Sequence, residues 1–323
     1  MKKVSIITPC FNSSNYIFRL LDSVIQQTYP NIEMFIINDG STDNSEEVVI
    51  SYISKFKNKG YTLTCINQKN QGQGFAVNKG LKYITGEYLI WPDSDDFFAS
   101  PFAIEKMVNV LDNNDEYSIV RSYANILDEI NLNVINELGG KKHLNNKTDY
   151  LFEDCLFTQN NFWFGAGMYM LRTPLLFQNY HDRNYYVSNQ YGGQNWQLLL
   201  PLLYKKKCYT IEEHLFNVLN RANSHSRGRF KSIEDQIKKY KEHRKILFET
   251  LARIQNMSNI ERQEYKRLIY IKYEKKLIYL LARKNKKEAV KNLKLLQKEY
   301  GVRLTLREAL LFFYQGVSHE LCK

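Results

Sequence analysis

The sequence predicts an α/β protein, a mainly parallel sheet with helices on both faces, followed by a helical C-terminal region. Three observations carry this. Over about the first hundred residues short apolar runs alternate with amphipathic segments, and a polar loop follows each apolar run. From Phe230 to Tyr300 the chain changes to long Lys/Glu/Leu/Tyr segments without Gly or Pro, a helical composition.

Val4 to Thr8 reads as a buried strand, and Ser13 or Ser14 as the cap of a helix whose apolar positions Ile17, Leu20, Leu21, Val24 and Ile25 recur at helical spacing. Ile32 to Asn38 is the second strand. Gly40-Ser41-Thr42-Asp43 turns the chain into a helix around Glu46 to Phe56, ahead of a strand from Tyr61 to Asn67. A third helix, roughly Phe75 to Ile84, leads through Gly86 into a strand ending at Trp91. Parallel neighbours need crossover connections, usually helical, so this order predicts a mainly parallel sheet. Ligands of such sheets bind outside the carboxyl ends of the strands. Pro9-Cys10-Phe11-Asn12, Asn38-Asp39-Gly40-Ser41, Gln68 to Gly74 and Asp93-Ser94-Asp95-Asp96 all fall there. Four polar loops should therefore converge on one cleft.

Beyond Pro101 the pattern gives a helix at Ala103 to Asn113, a strand at Tyr117 to Ser122 and polar residues from Asp128 to Lys147. The stretch FWFGAGMYMLRTPLL, residues 162–176, reads as a turn feeding a strand and a short helix. Gln194 to Tyr204 is apolar at helical spacing, and Tyr209 to Glu212 is a strand. A domain boundary is expected near residue 228, separating 1–228 from a basic, mainly helical 229–323.

At 323 residues, 44% hydrophobic and 24% charged, the composition is that of a soluble globular protein. The apolar stretch after Met1-Lys2-Lys3 stops at Pro9, too short for a signal segment, and no run of 18 apolar residues follows. A cytoplasmic protein is expected. The five cysteines are scattered without a C-x-x-C pair, which argues against a disulfide framework or a zinc knuckle and for small buried thiols. Charge is uneven: residues 226–323 hold 25 Lys+Arg against 11 Asp+Glu, net +14, and residues 1–225 hold 20 against 23, net −3. Such a basic region points to nucleic acid or anionic lipid.

Asp93, Asp95 and Asp96 lie within four positions of one another after the apolar run Tyr88 to Trp91. Paired carboxylates on a strand-end loop suit a hard divalent cation, which takes oxygen ligands and keeps positions open for phosphate and water. A helix-capping turn ahead of Phe97-Phe98 is the alternative.

VSIITPCFNSSNYIFRLLDSVIQQTYPNIEMFIINDGSTDNS, followed by NQGQGFAVNKGLKYITGEYLIWPDSDD, closely resembles the family 2 inverting glycosyltransferases with the GT-A fold, over about residues 3–120. The resemblance implies a nucleotide-sugar donor, first of all a UDP-sugar, a Mg2+ or Mn2+ ion held through a D-x-D element, and inversion at the anomeric carbon. It implies that Thr8, Pro9 and Phe11 lie beside the nucleoside, with Phe11 packing on the base, and that Asp39 contacts the base or ribose. Gly72 and Asn78 fall in the second matching stretch, on the donor side. Asp93, Ser94 and Asp95 are the D-x-D: Asp93 would contact ribose or sugar and Asp95 would bind metal. Asp96 is read as a helix N-terminal carboxylate. Gly165-Ala166-Gly167 resembles the loop near the donor sugar and acceptor, or is a tight turn. NRANSHSRG, residues 220–228, resembles the segment that closes the catalytic domain, so His225 is a metal or phosphate ligand or else an exposed histidine.

The chain departs from the family pattern where the base that takes the acceptor's proton should stand. An acidic residue opening a late helix supplies it in the family; here the position is Gly193-Gln194-Asn195-Trp196, and amides are not bases near neutral pH. Three accounts stay open: a carboxylate elsewhere (Asp154, Asp182 or Glu212) is the base, Asn195 orients the acceptor while solvent or phosphate takes the proton, or the chain is inactive. Val77 stands where the family commonly has Arg, so the donor phosphates would lean on Lys79 or near Arg227.

In residues 261–300 an apolar stripe of Leu268, Ile271, Leu277, Ile278, Leu281, Val290, Leu293 and Leu296 sits among Lys and Arg. It suits an anionic membrane surface or a bundle with a solvated basic face; residues 306–316 are more apolar and could dock or insert. The leading expectation is a metal-dependent hexosyl- or N-acetylhexosaminyltransferase acting on a glycan, lipid-linked or protein-linked acceptor in bacterial surface polysaccharide synthesis or protein glycosylation, peripheral on the inner face of the membrane. A silent scaffold of a glycosylation complex is second, and a nucleic-acid-binding protein, for which no motif speaks, third. A homo-oligomer is left open.

Overall fold

The computed structural model describes residues 1–140, 148–187, 193–221, 230, 232–305, 308, 309 and 312. The chain divides into two compact units, Met1–Ala222 with Arg253–Gln255, and Asn223–Ala252 with Asn256–Lys323. Residue 228, the expected boundary, lies outside the described residues.

In the first unit one sheet holds β1 (Val4–Cys10), β2 (Ile32–Asn38), β3 (Thr62–Asn67), β4 (Tyr88–Ile90), β5 (Phe97–Phe98), β6 (Tyr117–Asp128), β7 (Val134–Leu138), β8 (Tyr169–Arg172) and β9 (Lys207–Asn220). The strand order is β3-β2-β1-β4-β8-β6-β9-β5, with β7 paired to β6 outside that path. β1 to β4 pair in parallel, as their helical crossovers α1 (Ile17–Ile25), α2 (Ser45–Asn58) and α3 (Gln73–Leu81) require. Every residue of β1 is buried, and a continuous apolar run is what a strand covered on both faces needs. α1 turns Ile17, Leu20, Leu21 and Val24 inward.

The other elements of this unit are α4 (Ala103–Asn113), α5 (Phe152–Phe157), a 3-10 turn at Ala166–Met168, α6 (Thr173–Asn179) and α7 (Gln194–Leu203). The expected cap at Ser13 or Ser14 is not formed: α1 opens after Tyr16 without a side-chain cap. Ser13 is drawn into the strand-end loops instead, its hydroxyl 2.7 Å from that of Ser94. Two strands are much longer than expected. β6 continues past Ser122 to Asp128 and β9 runs from Lys207 to Asn220, paired in parallel along that whole length. Their later positions, such as Asn125 and Asn217, pair side chain to side chain at 3.0 Å, so these strands lack the apolar alternation that reveals a strand. β7, within the expected polar stretch, is missed for the same reason: Val134 to Asn136 are exposed.

Glu33 staples three segments of the unit. Buried on β2, it accepts from the Ser5 hydroxyl at 2.6 Å, the Thr85 amide at 2.6 Å and the Thr85 hydroxyl at 2.9 Å. Burial works to raise its carboxyl, but the hydrogen bonds from Ser5 and Thr85, with Lys3 nearby, hold it below the ordinary value.

The second unit contains α8 (Ile233–Arg253, its last residue counted with the first unit), α9 (Asn259–Ala282) and α10 (Lys286–Tyr300). Ser258 and Glu261 form a reciprocal capping box at the start of α9, and Asn285 caps α10. Gly301 ends α10 at φ +65°, the left-handed conformation that glycine adopts freely. The apolar stripe, for which a membrane surface and a bundle interior are both expected, is largely spent inside the unit. Ile278, Ala282, Ala289, Leu293, Leu296 and Phe312 form its core, and Ile271, Leu281 and Val290 pack against it. Among the described residues no helix is long and apolar enough to cross a membrane, and Cys10, Cys65, Cys155 and Cys208 are free thiols.

Glu33→Gln should destabilise the protein by about 1–3 kcal/mol, the cost of leaving buried donors poorly matched. Because the folded carboxyl lies below its unfolded value, about 4.3, its contribution is complete above that pH and is lost as pH falls through the folded value. Denaturant melts of the two proteins should differ at pH 7 and converge in acid.

Candidate functional site

The carboxyl ends of β1, β2 and β3 stop level, with Cys10 opposite Asn38 and Asn38 opposite Asn67. Asn38 donates to Asn67 across this edge at 2.9 Å, so the loops leave from one line. Phe11, 38% exposed, is the aromatic left open on the first loop, whereas Thr8 and Pro9 are buried. The Thr8 hydroxyl is enclosed and has no hydrogen-bond partner. Gly40, at φ +74°, turns the second loop so closely against the third that a Cβ would lie 2.8 Å from the Asn70 nitrogen. Asp39, 3% exposed, fastens that third loop by accepting from the Gln68 side chain at 2.7 Å and from the amides of Gln71 and Gly72 at 2.9 and 2.7 Å. A carboxylate has about four lone-pair sites, and these three donors occupy most of them. Gly72, at φ +100°, begins α3.

The three carboxylates after β4 are handled separately. Asp93 accepts from the Gln73 amide; burial, then the neighbouring Asp95 charge, pushes its carboxyl up to about 7. Asp95 accepts from Arg221 Nη1 at 2.7 Å, in a pair whose side chains are about a fifth exposed. Asp96, 6% exposed, accepts from the Leu219 amide at 2.9 Å, and burial together with Asp95 and Asp93 raises it well above the ordinary range. The reading of Asp96 as a helix N-terminal carboxylate is corrected: β5 follows it, and it ties this loop to β9. Ser94, 8% exposed, is turned onto Ser13.

Hard oxygen donors crowded until two resist ionisation are what a divalent cation relieves. Mg2+ needs only one or two protein carboxylates when phosphates and water complete its shell, so Asp95 with Asp93 fits such an ion. Among the described residues no group of three or more His, Cys, Asp or Glu could hold a metal. His225 and Arg227 lie outside the described residues.

The late helix α7 joins this edge through Asn195, whose carbonyl accepts from the Trp91 indole at 2.8 Å, two residues before Asp93. Gln194 opens the helix 6% exposed, its Oε1 enclosed and without a partner. Gly167 lets the 3-10 turn lie against β9, since a Cβ there would fall 2.0 Å from the Phe216 ring.

The comparisons with known proteins agree with this architecture. A family model for glycosyl transferase family 2 matches residues 5–175, more than half of the chain. The chain belongs to glycosyl transferase family 2. It is 38% identical over 117 residues, 36% of this chain and 34% of the relative, to the uncharacterized glycosyltransferase RT0329 of Rickettsia typhi. It is 39% identical over 100 residues, 31% of this chain and 14% of the relative, to glycosyltransferase GlyA of Streptococcus pneumoniae. The match thus spans about a third or less of these relatives' lengths. Among solved structures, residues 1–349 of S. aureus TarS with UDP-GlcNAc align with TM-score 0.57 at 17% identity, covering 93% of this chain and 91% of that one. The mannosyltransferase PcManGT of Pyrobaculum calidifontis, with GDP-Man and Mn2+, aligns with TM-score 0.54 at 16% identity, covering 96% and 78%. The fold is the expected GT-A fold.

Within this family 2 chain not every expected site residue reaches the carboxylates. Asn78 is committed to Tyr185, donating to its carbonyl at 2.9 Å and accepting from its amide at 3.0 Å. Lys79 donates to the Asn67 carbonyl at 2.7 Å. Both line a cavity of about 610 Å3 with Gln68, Gln71, Phe75 and Tyr83, which contains none of the three carboxylates. Of the alternative bases, Asp154 is held by Asn160 at 2.8 Å, Asp182 lies 3.7 Å from Arg253, and Glu212 is exposed on β9. Arg221 and Gln73 are the residues that sequence reasoning missed. Arg221 lies in segment 220–228, where its charge is the signal that points to it.

Gly167→Ala should lower stability by about 1–3 kcal/mol, the usual range for overpacking a close contact, because the Phe216 ring must move. A thermal melt showing no change would contradict that close approach.

Proposed function

We propose that the chain transfers a sugar, with inversion at the anomeric carbon, from a nucleotide-sugar to a glycan, lipid-linked or protein-linked acceptor, and that Mg2+ or Mn2+ is required. The observation that carries this is the crowding of Asp93, Asp95 and Asp96 at the end of β4, with Asp95 paired to a cationic side chain, Arg221. A UDP-linked hexose or N-acetylhexosamine is the first donor to test, because UDP-GlcNAc is the ligand of the TarS structure; GDP-linked mannose, the ligand of PcManGT, is the second. The acceptors proposed are those of bacterial surface polysaccharides or glycoproteins.

When bound, the cation would neutralise charge growing on the departing diphosphate. Phe11 offers a face for the base, and Asp39 its remaining lone pair to the nucleoside. The acceptor oxygen attacks the anomeric carbon while the bond to the diphosphate breaks, and the hydroxyl proton must pass to a base. Gln194 and Asn195 cannot take it; Asn195 orients the hydroxyl instead. Of the three candidate carboxylates Asp154 is preferred, since the next residue of α5, Cys155, accepts at 3.0 Å from Trp196 of α7. The same Gln194-Asn195 pair favours a second reading, a silent scaffold of a glycosylation complex. Donor hydrolysis or transfer by the purified protein separates the two.

The net +14 of residues 226–323 supports a peripheral position on an anionic membrane surface, through charge rather than the apolar stripe. Binding to phosphatidylglycerol vesicles should then vanish at high salt, and salt-resistant binding to neutral vesicles would contradict it.

In thermal-shift titrations against UDP, GDP, dTDP and CMP sugars, one nucleotide should stabilise the wild type only with Mn2+, by about 2.7 kcal/mol at a hundredfold excess over Kd. Asp95→Ala should show no such shift. Failure of every nucleotide to stabilise the wild type would leave the scaffold as the better reading.

A further inference from the structure

We propose that Arg221 is the resident occupant of the metal carboxylate: it holds Asp95 while no donor is bound and so makes metal binding depend on the nucleotide diphosphate. This rests on the metal-dependent reading above. Arg221 Nη1 bonds Asp95 Oδ2 at 2.7 Å, a charge-assisted bond to the oxygen-rich group a cation would use. The guanidinium is fixed from its other side. Its carbon lies 4.1 Å from the centroid of the Tyr16 ring, and the Tyr16 hydroxyl donates to Glu129 Oε1 at 2.6 Å. Asp95, Arg221, Tyr16 and Glu129 thus form one chain running from the carboxylate cluster to the β6–β7 hairpin.

The fork is only partly used. Arg221 Nε is enclosed and has no hydrogen-bond partner, although the side chain keeps about a fifth of its surface open. A planar guanidinium pairs best through two parallel N–H groups, so this one is under-satisfied on Asp95 alone. An incoming diphosphate supplies further anionic oxygens, draws the guanidinium from Asp95 and frees the carboxylate for the ion. Metal and diphosphate then favour each other's binding by the same factor. The ion arriving alone must displace the arginine unaided.

The test is Mn2+ binding to the full chain, followed by electron paramagnetic resonance, with and without UDP or GDP. Arg221→Gln should bind Mn2+ alone about tenfold more tightly than wild type, the factor expected for removing one competing charge-assisted bond. The nucleotide should tighten Mn2+ binding more in wild type than in Arg221→Gln. Tyr16→Leu, which removes the stack and leaves the charge, should shift both quantities the same way by a smaller factor; loss of a positive charge cannot explain that result. Arg221→Lys, retaining charge without the fork, should fall between and serves if the glutamine variant does not fold. Equal Mn2+ affinity in wild type and Arg221→Gln, or equal tightening by nucleotide in both, would overturn the inference and leave the transferase reading standing. If wild type binds no Mn2+ with either nucleotide, as Asp95→Asn should not, the metal-dependent reading itself fails.

Discussion

Three carboxylates in four positions at the end of a buried strand repel one another, and the surrounding structure is arranged to bear that repulsion. Each is given a different partner: an amide side chain for Asp93, a guanidinium for Asp95 and a backbone amide for Asp96. The partners come from distant elements, α3, the end of β9 and β9 itself, so managing the charge also fixes how β5 and β9 meet the parallel strands. Only the Asp95 partner is a cation. That makes Asp95 the position at which one positive charge can be exchanged for another.

The rest of the edge follows from where strands end. Because β1, β2 and β3 stop level, Phe11, Asp39 and the loop after Asn67 leave together, and Asp39 closes that loop with three hydrogen bonds. The carboxylate expected to meet a nucleoside therefore also builds the loop that borders it. On the opposite side, Trp91 links the carboxylate loop to the start of α7 through Asn195. Where the resemblance leads one to expect an acid opening this helix, two amides stand, one anchored and one with its carbonyl enclosed and unpartnered. A buried polar atom without a partner costs free energy, and the enclosed Gln194 carbonyl carries that cost at the start of α7.

The parallel half of the fold was legible in the sequence because its signal is local. Apolar runs such as Val4 to Thr8 are buried on both faces, and the helices between them show their inward positions directly. The strands β6 and β9 are half hidden, since their later residues, ANILD and LFNVLN, do not alternate apolar with polar, and Asn125 pairs with Asn217 across them. The expected serine cap failed because Ser13 found better partners in Ser94 and Ser45, a tertiary choice that no local pattern encodes. Asp93 and Asp95 stand out by spacing, whereas Arg221, over 120 residues away, is brought to them by the antiparallel pairing of β5, which follows Asp96, with the end of β9. The stripe on α9 and α10 is apolar by its spacing; which of its two expected destinations it takes, a membrane surface or the bundle interior it occupies, depends on helix packing that periodicity does not specify.

The most direct test of the central claim is anomalous diffraction from crystals grown with Mn2+ and UDP. A manganese peak within about 2.0–2.6 Å of an Asp95 oxygen and a diphosphate oxygen, with Arg221 no longer bonded to Asp95, is the predicted result. UDP bound at this edge with no manganese at Asp95, and with the Asp95–Arg221 pair intact, would contradict it.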